Sequence, residues 1–450
     1  MNSTEYLQWG VVLAALALFY FISPRAKSVG DFFRGSDSEK SEPNVLLLTS
    51  GLVISWIFAK SIANASSLGS EFGLLGGIGY AGYYVSFLVA GFVIYNLRVK
   101  GKWTSIHQFL TSKFGKNATR IFSILISIRL FNEVWSNTMV LGSFFGEANS
   151  TPYYAAIFIF TALTLAYVLK GGLKSSIYTD FIQMMLFVLF LGIIVIAVMP
   201  SFSNKELDAT FWGTWDLDHG VDFLLLALLQ SFSYPFHDPV LTDRGFISDP
   251  KKMRKSFILA TIIGIVCITL FSLVGVAIRM SNSMNSLISF SKGLGIVLFL
   301  FVNLIMVTSA TSTLDSTFSS FSKLWVVDIR KKKVTIASGR WAMIALACLG
   351  SIPVFFNAEV LQATTISGTM VIGLAPVFLL WKLRAPALSF YLAVGIGLFC
   401  GIAQTAHWVP ESWLWSHGKY ADLLFINTVG FIATFAGFLT PYFIVKWQKN

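Results

Sequence analysis

Thirteen predominantly apolar stretches, most of them 18 residues or longer, follow one another along this 450-residue chain with only short polar connections between them. They cover roughly 5–22, 45–70, 74–98, 119–146, 151–169, 174–199, 221–240, 256–280, 293–324, 338–357, 359–382, 385–405 and 423–446. A helix rises ~1.5 Å per residue, so such a stretch can cross a hydrocarbon core of ~30 Å. Backbone groups inside lipid must be paired within the protein, which makes these blocks helices. A β-barrel would show short segments of alternating hydrophobicity. The pattern predicts an all-α polytopic membrane protein of about 13 transmembrane helices. Only 12% of the residues are charged, half the ~25% of a water-soluble domain. The gaps between blocks leave no room for a soluble ATPase, kinase or DNA-binding domain. The first block lacks a basic leading segment and a cleavage signature, so it is expected to remain as a helix.

The net charge of +11 is explained by orientation. With the N-terminus outside, the inner loops and span ends collect 27 of the 33 Lys and Arg residues, among them Arg25, Lys27, Arg34, Arg98, Lys100, Lys102, Lys251 to Lys255 and Arg330 to Lys333. The outer side collects 4: Lys205, Arg279, Lys292 and Lys419. This is the positive-inside asymmetry, and it predicts an N-out, C-in topology. The basic balance therefore points to a lipid bilayer and not to nucleic acid. The expected location is the plasma membrane, of the bacterial inner-membrane kind.

Cys267, Cys348 and Cys400 all lie in apolar blocks and read as small buried hydrophobes. Neither paired cysteine spacings nor a phosphate-binding loop, a metalloprotease motif or a nucleophile elbow is present. An enzyme is not expected, nor is an obligate protein partner evident.

Ionisable groups within the spans are costly and hence informative. Lys60 lies about 15 residues into the second span, ~22 Å from its cytoplasmic end and beyond snorkelling reach. It can form a structural ion pair, contact substrate, or stand in for a bound cation. A carboxylate such as Asp180 or Glu133 could be its partner. Arg129 and Glu133 are four apart and share a helix face.

Two spans read as interrupted. Around Lys60 the sequence is Ala59-Lys60-Ser61-Ile62-Ala63-Asn64-Ala65-Ser66-Ser67-Leu68-Gly69, small and polar. The seventh span contains Pro235 and Pro239, whose missing N–H groups break a helix. Five spans separate the two, the spacing of two inverted five-helix repeats over spans two to six and seven to eleven. In such folds the unwound segments bind ions and substrate at the midplane. The ninth span carries Thr308-Ser309-Ala310-Thr311-Ser312-Thr313, whose hydroxyls can either support close helix packing or hold a dehydrated sodium ion.

These features resemble the sodium/solute symporter family, which includes sodium/glucose and sodium/proline cotransporters. The match rests on Gly171-Gly172-Leu173 through Thr179-Asp180-Phe181-Ile182-Gln183, on Asp31-Phe32-Phe33-Arg34-Gly35, on Phe109-Leu110 to Phe114-Gly115, on Asp243-Arg244, and on Leu314-Asp315-Ser316 through Asp328-Ile329. The resemblance implies a LeuT-type 5+5 inverted repeat. Residues 1–44 would hold the first helix and inner loop, 45–199 and 200–382 the two repeats, and 383–450 two further helices. It also implies a principal sodium site formed by the backbone of Ala59, Ile62 and Ile305 and the hydroxyls of Thr308 and Ser309. A second sodium would use Asp180, Thr308, Thr311 and Ser312. Positions matching substrate contacts are Ser61, Ala63, Ser66, Tyr84 and Ser231, with Tyr234 as an aromatic inner gate.

Lys60 departs from the family pattern, standing where a small residue is usual. The polar cluster of sugar-transporting members is mostly missing, with Val85 and Leu88 in its place, so a sugar is not expected. Lys60 and Arg129, as intramembrane cations, suggest an anionic or zwitterionic solute. The expected function is sodium-coupled symport of a small organic solute by alternating access, with one or two sodium ions. The alternatives are a proton-coupled transporter of the same fold and a solute sensor built on a transporter-like domain.

Overall fold

The computed structural model describes residues 3–35, 42–203, 207–281, 286–331, 333–356 and 367–448. Met1, Asn450, Lys205, Lys332 and the first part of the eleventh apolar block, 359–366, lie outside the described residues. Within them the regular structure is helical throughout. The main elements are α1 (Ser3–Ile22), α2 (Val29–Arg34), α3 (Val45–Trp56), α4 (Ala59–Phe72), α5 (Leu74–Val99), α6 (Ile106–Gly142), α7 (Thr151–Gly171) and α8 (Leu173–Val198). After them come α9 (Val221–Gln230), α10 (Pro239–Arg244), α11 (Pro250–Ser281), α12 (Ile296–Lys323), α13 (Ile336–Gly350), α14 (Leu374–Leu379), α15 (Ala387–Thr405) and α16 (Ala421–Trp447).

Polar residues at the heads of the apolar blocks start these helices. The Asn44 side chain accepts from Leu47 N at 2.9 Å and Ser105 Oγ from Gln108 N at 3.0 Å, capping α3 and α6. Ser28 and Thr335 cap α2 and α13 in the same way.

Nine of the helices among the described residues are long and apolar enough to cross a membrane, and the bent pair α3–α4 makes a tenth span. The remaining three of the thirteen blocks have physical reasons for falling short. The block at 119–146 is part of α6, 37 residues long, broken at Gly115 (φ 89°) and carrying Lys113, Lys116, Arg120, Arg129 and Glu133. The block at 221–240 contains the proline break. The block at 359–382 is only partly described and holds the short α14.

Both spans are interrupted, but the first break falls at Ile57 and Phe58, just ahead of the small and polar stretch Ala59–Gly69, which is itself helical. α3 and α4 meet at a 61° bend, with Phe58 extended (φ −63°, ψ 153°). Between α9 and α10, Pro235 sits in a short 3₁₀ turn and Pro239 opens the next helix. Pro cannot donate an intrahelical bond, so the ladder stops here, and Asp238 restarts it by accepting from Val240 N at 2.9 Å.

α4 lies against α11, which also packs on α3, α5 and α8; α12 runs alongside α1, α4, α6, α7 and α8. α15 and α16 pair with each other, and α16 also contacts α9. The α4–α11 approach depends on absent side chains. A Cβ on Gly275 would lie 1.9 Å from Ser66 O, and one on Gly69 would lie 2.4 Å from Ser272 O. These are backbone atoms and cannot swing aside. Gly275→Leu should therefore lower stability in detergent by about 1–3 kcal/mol or more. Gly192→Ala, where a Cβ meets nothing within 4 Å, should leave it unchanged. Chemical denaturation of the two purified variants checks the pair, and equal midpoints would contradict the packing.

Candidate functional site

The two helix breaks face one another across a buried charge cluster. Asp238, which caps α10, also accepts from Trp56 Nε1 at 2.7 Å and from Arg129 Nη2 at 3.0 Å. Trp56 ends α3 and Arg129 belongs to α6, so one carboxylate ties three elements together. Arg129 also contacts Glu133, one turn along α6. Glu133 accepts from Lys60 Nζ at 2.8 Å, and the ammonium donates a further bond to Ser136 Oγ at 3.2 Å. Lys60, Arg129, Glu133 and Asp238 are all under 4% exposed. Two cations thus meet two carboxylates, and the cluster is electroneutral. Of the three arrangements open to Lys60, the geometry holds the carboxylate pair. The positive charge that suggested an anionic solute is already balanced within the protein.

The positions implied for the principal sodium site lie on α4 and α12, two helices that pack on one another. Thr308 Oγ1 donates to Ile305 O at 2.9 Å. Ser309 differs from its neighbours: its hydroxyl is fully buried and has no hydrogen-bond partner among the described residues. Leaving a buried hydroxyl unpaired costs about 1–3 kcal/mol. A cation is one group that can use its lone pairs.

The positions implied for a second sodium are adjacent too, but they include a residue that sequence reasoning did not place there. Asp180 Oδ1 accepts from Ser312 Oγ at 2.5 Å, and Gln183 Nε2 donates to Thr311 Oγ1 at 3.1 Å. Asp180 Oδ2, however, accepts from Arg244 Nη2 at 2.5 Å. Arg244 also donates to Gly51 O and Ser316 Oγ and contacts Ser55. The guanidinium puts one positive charge where the second ion was expected. The nearby Asp315 accepts only from hydroxyls, those of Tyr167 at 2.6 Å, Ser176 at 2.8 Å and Thr179 at 2.9 Å being the shortest.

Of the positions matched to substrate contacts, Ser61, Tyr84 and Tyr234 line one small cavity with Trp56, Phe58, Tyr80 and Tyr83. It encloses about 20 Å³, room for a single water. Tyr80 donates to Ser61 Oγ at 3.0 Å, Tyr83 to Gln230 Oε1 at 2.8 Å and Tyr84 to Trp56 O at 2.9 Å. Ala63, Ser66 and Ser231 are not among its walls: Ser66 packs on α11 and Ser231 Oγ donates to Leu228 O at 2.7 Å. Tyr80 and Tyr83 were missed, although Tyr80, Tyr83 and Tyr84 stand at the i, i+3, i+4 spacing of one helix face. Lys60 and Arg129 stack on the cavity's aromatic walls, Lys60 Nζ 5.0 Å from the Phe58 ring and the Arg129 guanidinium 5.0 Å from that of Tyr234.

Because the cluster balances its charges, removing one should cost more than removing a pair. Lys60→Met leaves two carboxylates against one guanidinium and should destabilise the protein by about 3–5 kcal/mol. Lys60→Met combined with Glu133→Gln restores the balance and should recover most of that loss. Denaturation of both variants in detergent tests this, and an unaltered Lys60→Met protein would argue against the pair.

The family model described as "Sodium:solute symporter family" matches residues 50–308, more than half of the chain. Sodium/glucose cotransporter 1 of Mus musculus is 27% identical over 180 residues, and that of Ovis aries 26% over 186. These alignments cover 38% and 40% of this chain but only 26% and 27% of the relatives' own length. Among solved structures, a Na⁺-coupled sialic acid symporter in a substrate-bound outward-open state superposes with a TM-score of 0.76 at 16% identity, over 98% of both chains. Mhp1, a nucleobase-cation-symport-1 family transporter in a closed conformation, gives 0.63 at 11%, over 93% of this chain and 96% of its own. The likeness carries the fold, a LeuT-type inverted repeat whose two discontinuous helices are α3–α4 and α9–α10. With the family model matching more than half of the chain and spanning both breaks, this chain belongs to the sodium:solute symporter family.

Proposed function

We propose that the chain is a sodium-coupled secondary active symporter that moves a small organic solute inward by alternating access. One observation carries the reading, the buried hydroxyl of Ser309, which has no hydrogen-bond partner among the described residues. Sodium would be bound there as a transported ion, by the backbone of Ala59, Ile62 and Ile305 with Thr308 and Ser309. Lys60 is no substitute for the ion, since its ammonium is committed to Glu133 and Ser136. The Asp180–Arg244 pair supports a stoichiometry of one, because a second cation between Asp180, Thr308, Thr311 and Ser312 would meet a guanidinium.

The same accounting bears on the solute. The four charges near the cavity cancel, so a bound sodium adds an uncompensated positive charge. A solute carboxylate would neutralise it, and Arg129 Nε, buried and without a partner, would be one donor to it. This supports an anionic or zwitterionic solute with a compact apolar body, seated among Ser61, Tyr84, Tyr234 and their aromatic neighbours once the cavity widens. Ala63, Ser66 and Ser231 would reach it only after such a change. Proton coupling is a second reading, favoured by Asp315, whose hydrogen-bond partners are all neutral hydroxyls.

Uptake into vesicles with an imposed sodium gradient tests the coupling. One sodium crossing 100 mV releases ~2.3 kcal/mol and a tenfold gradient adds ~1.4, which limits accumulation to roughly 500-fold. Uptake should collapse without sodium, show a Hill slope near one for it, and fall when a solute carboxylate is replaced by its amide. Uptake that follows a pH gradient and ignores sodium would move the assignment to proton coupling.

Ser309→Ala should raise the half-saturating sodium concentration roughly ten- to a hundred-fold, from the ~1–3 kcal/mol attached to one buried ligand. Thr308→Ala should act in the same direction, and Thr311→Ala should leave the sodium response near wild type. A wild-type response in Ser309→Ala would return the hydroxyl stripe to a packing role.

A further inference from the structure

Away from the transport site, a second concavity of about 740 Å³ opens between α6 and the end of α12. One wall is a stripe of α6 residues spaced four apart: Lys116, Arg120, Ile124 and Ile128. Such residues stack on one helix face at ~6 Å per step. The stripe therefore runs ~18 Å from two charges to two isoleucines, close to the half-thickness of a hydrocarbon core. The facing wall comes from the π-helical turn Leu324–Arg330 and its exit, with Trp325, Ile329 and Lys331.

We infer that this groove is a binding site for an anionic phospholipid of the cytoplasmic leaflet. The charge order is the reason. Lys116, Arg120 and Lys331 gather at one end, on the side that the positive-inside asymmetry assigns to the cytoplasm. Beyond them the lining is mainly apolar, with Ser123 and Ser127 turning their hydroxyls to carbonyls of their own helix, and it stays open: Ile124 is 60% exposed, Ile128 46%, Trp325 46% and Ile329 41%. A free phosphate would use the first half and leave the isoleucines bare; a neutral lipid would use the second and leave three cations unmatched. A phosphodiester headgroup with an acyl chain uses both. One carboxylate, Asp328, also lines the groove; its Oδ2 lies 3.9 Å from His107 Nδ1. Three cations against one carboxylate leave the headgroup end positive.

The occupant would join two elements that the transport site depends on. α6 carries Arg129 and Glu133, and α12 carries Ser309 and Asp315. A lipid held between their cytoplasmic ends would brace one against the other.

Native mass spectrometry of the full chain in neutral detergent, with phosphatidylglycerol and phosphatidylcholine supplied in equal amounts, tests the site. Phosphatidylglycerol should be retained, and Lys116→Gln with Arg120→Gln should weaken its binding roughly 30-fold, from two surface charges. Lys251→Gln with Lys252→Gln removes the same charge elsewhere on that side and should have no such effect. Ile128→Trp should weaken retention with every charge kept. Equal retention of the two lipids by the wild type, equal losses in the two double variants, or glycerol 3-phosphate binding as well as the whole lipid would each overturn the assignment. The lipid comparison in the wild type decides without any variant. None of these readouts involves sodium or uptake.

Discussion

A broken helix in a membrane leaves backbone groups that no solvent can satisfy, and this fold has two such breaks side by side. Asp238 is the residue that makes them tolerable. It supplies the acceptor that restarts the second broken helix at Val240. It also holds the indole at the end of the first, and the guanidinium of Arg129 balances its charge. A carboxylate buried at low dielectric is prohibitive alone and acceptable when paired and fully hydrogen-bonded. Arg129 in turn needs more than Asp238, which brings in Glu133, and Glu133 brings in Lys60. The cluster is a chain of mutual obligations that begins with a missing proline N–H.

This dependence explains what could be read from the sequence. The apolar blocks, the charge asymmetry and the two interruptions are one-dimensional signals, each set by lipid thickness or by local backbone chemistry. Arg129 with Glu133 was legible because four residues make one helical turn. Lys60 with Glu133 was legible only as one choice among three, since 73 positions separate them and nothing along the chain fixes their distance. Arg244 with Asp180 escaped notice for the same reason, although both residues lay in recognised motifs. The aromatic cavity was half legible. Tyr84 was singled out by resemblance, whereas Tyr80 and Tyr83 needed only the helical period. The seventh block reads as apolar by hydropathy, and only Pro235 and Pro239 mark in the sequence that it is divided.

The two acid–base clusters differ in a way that bears on coupling. The upper one is balanced pair by pair and lies against the cavity. In the lower one Asp180 has Arg244, and Asp315 has only hydroxyls. Beside Asp180 stands the α12 stripe, where Thr308, Thr311 and Thr313 all direct their hydroxyls to carbonyls of their own helix. Ser309 alone in that run is left without a partner. A stripe needed only for packing would gain from satisfying that hydroxyl or replacing it with alanine. The exception supports an ion site at this position rather than elsewhere along the helix.

Arg244 also constrains how such a transporter could open. From the end of α10 it reaches α3 at Gly51 and Ser55, α8 at Asp180 and α12 at Ser316. One residue on, Gly245 O accepts from Arg98 Nη1 at 2.8 Å, and Asp243 pairs with Lys323. These bonds join the second broken helix to α3, α5, α8 and α12. A path inward must part some of them, and each parted charge must then be met by water. Entering water can do so, whereas lipid cannot. Opening and hydration of this half are therefore one event. An ion at Ser309, held until that water arrives, would be released by the same step that frees Arg244 from Asp180.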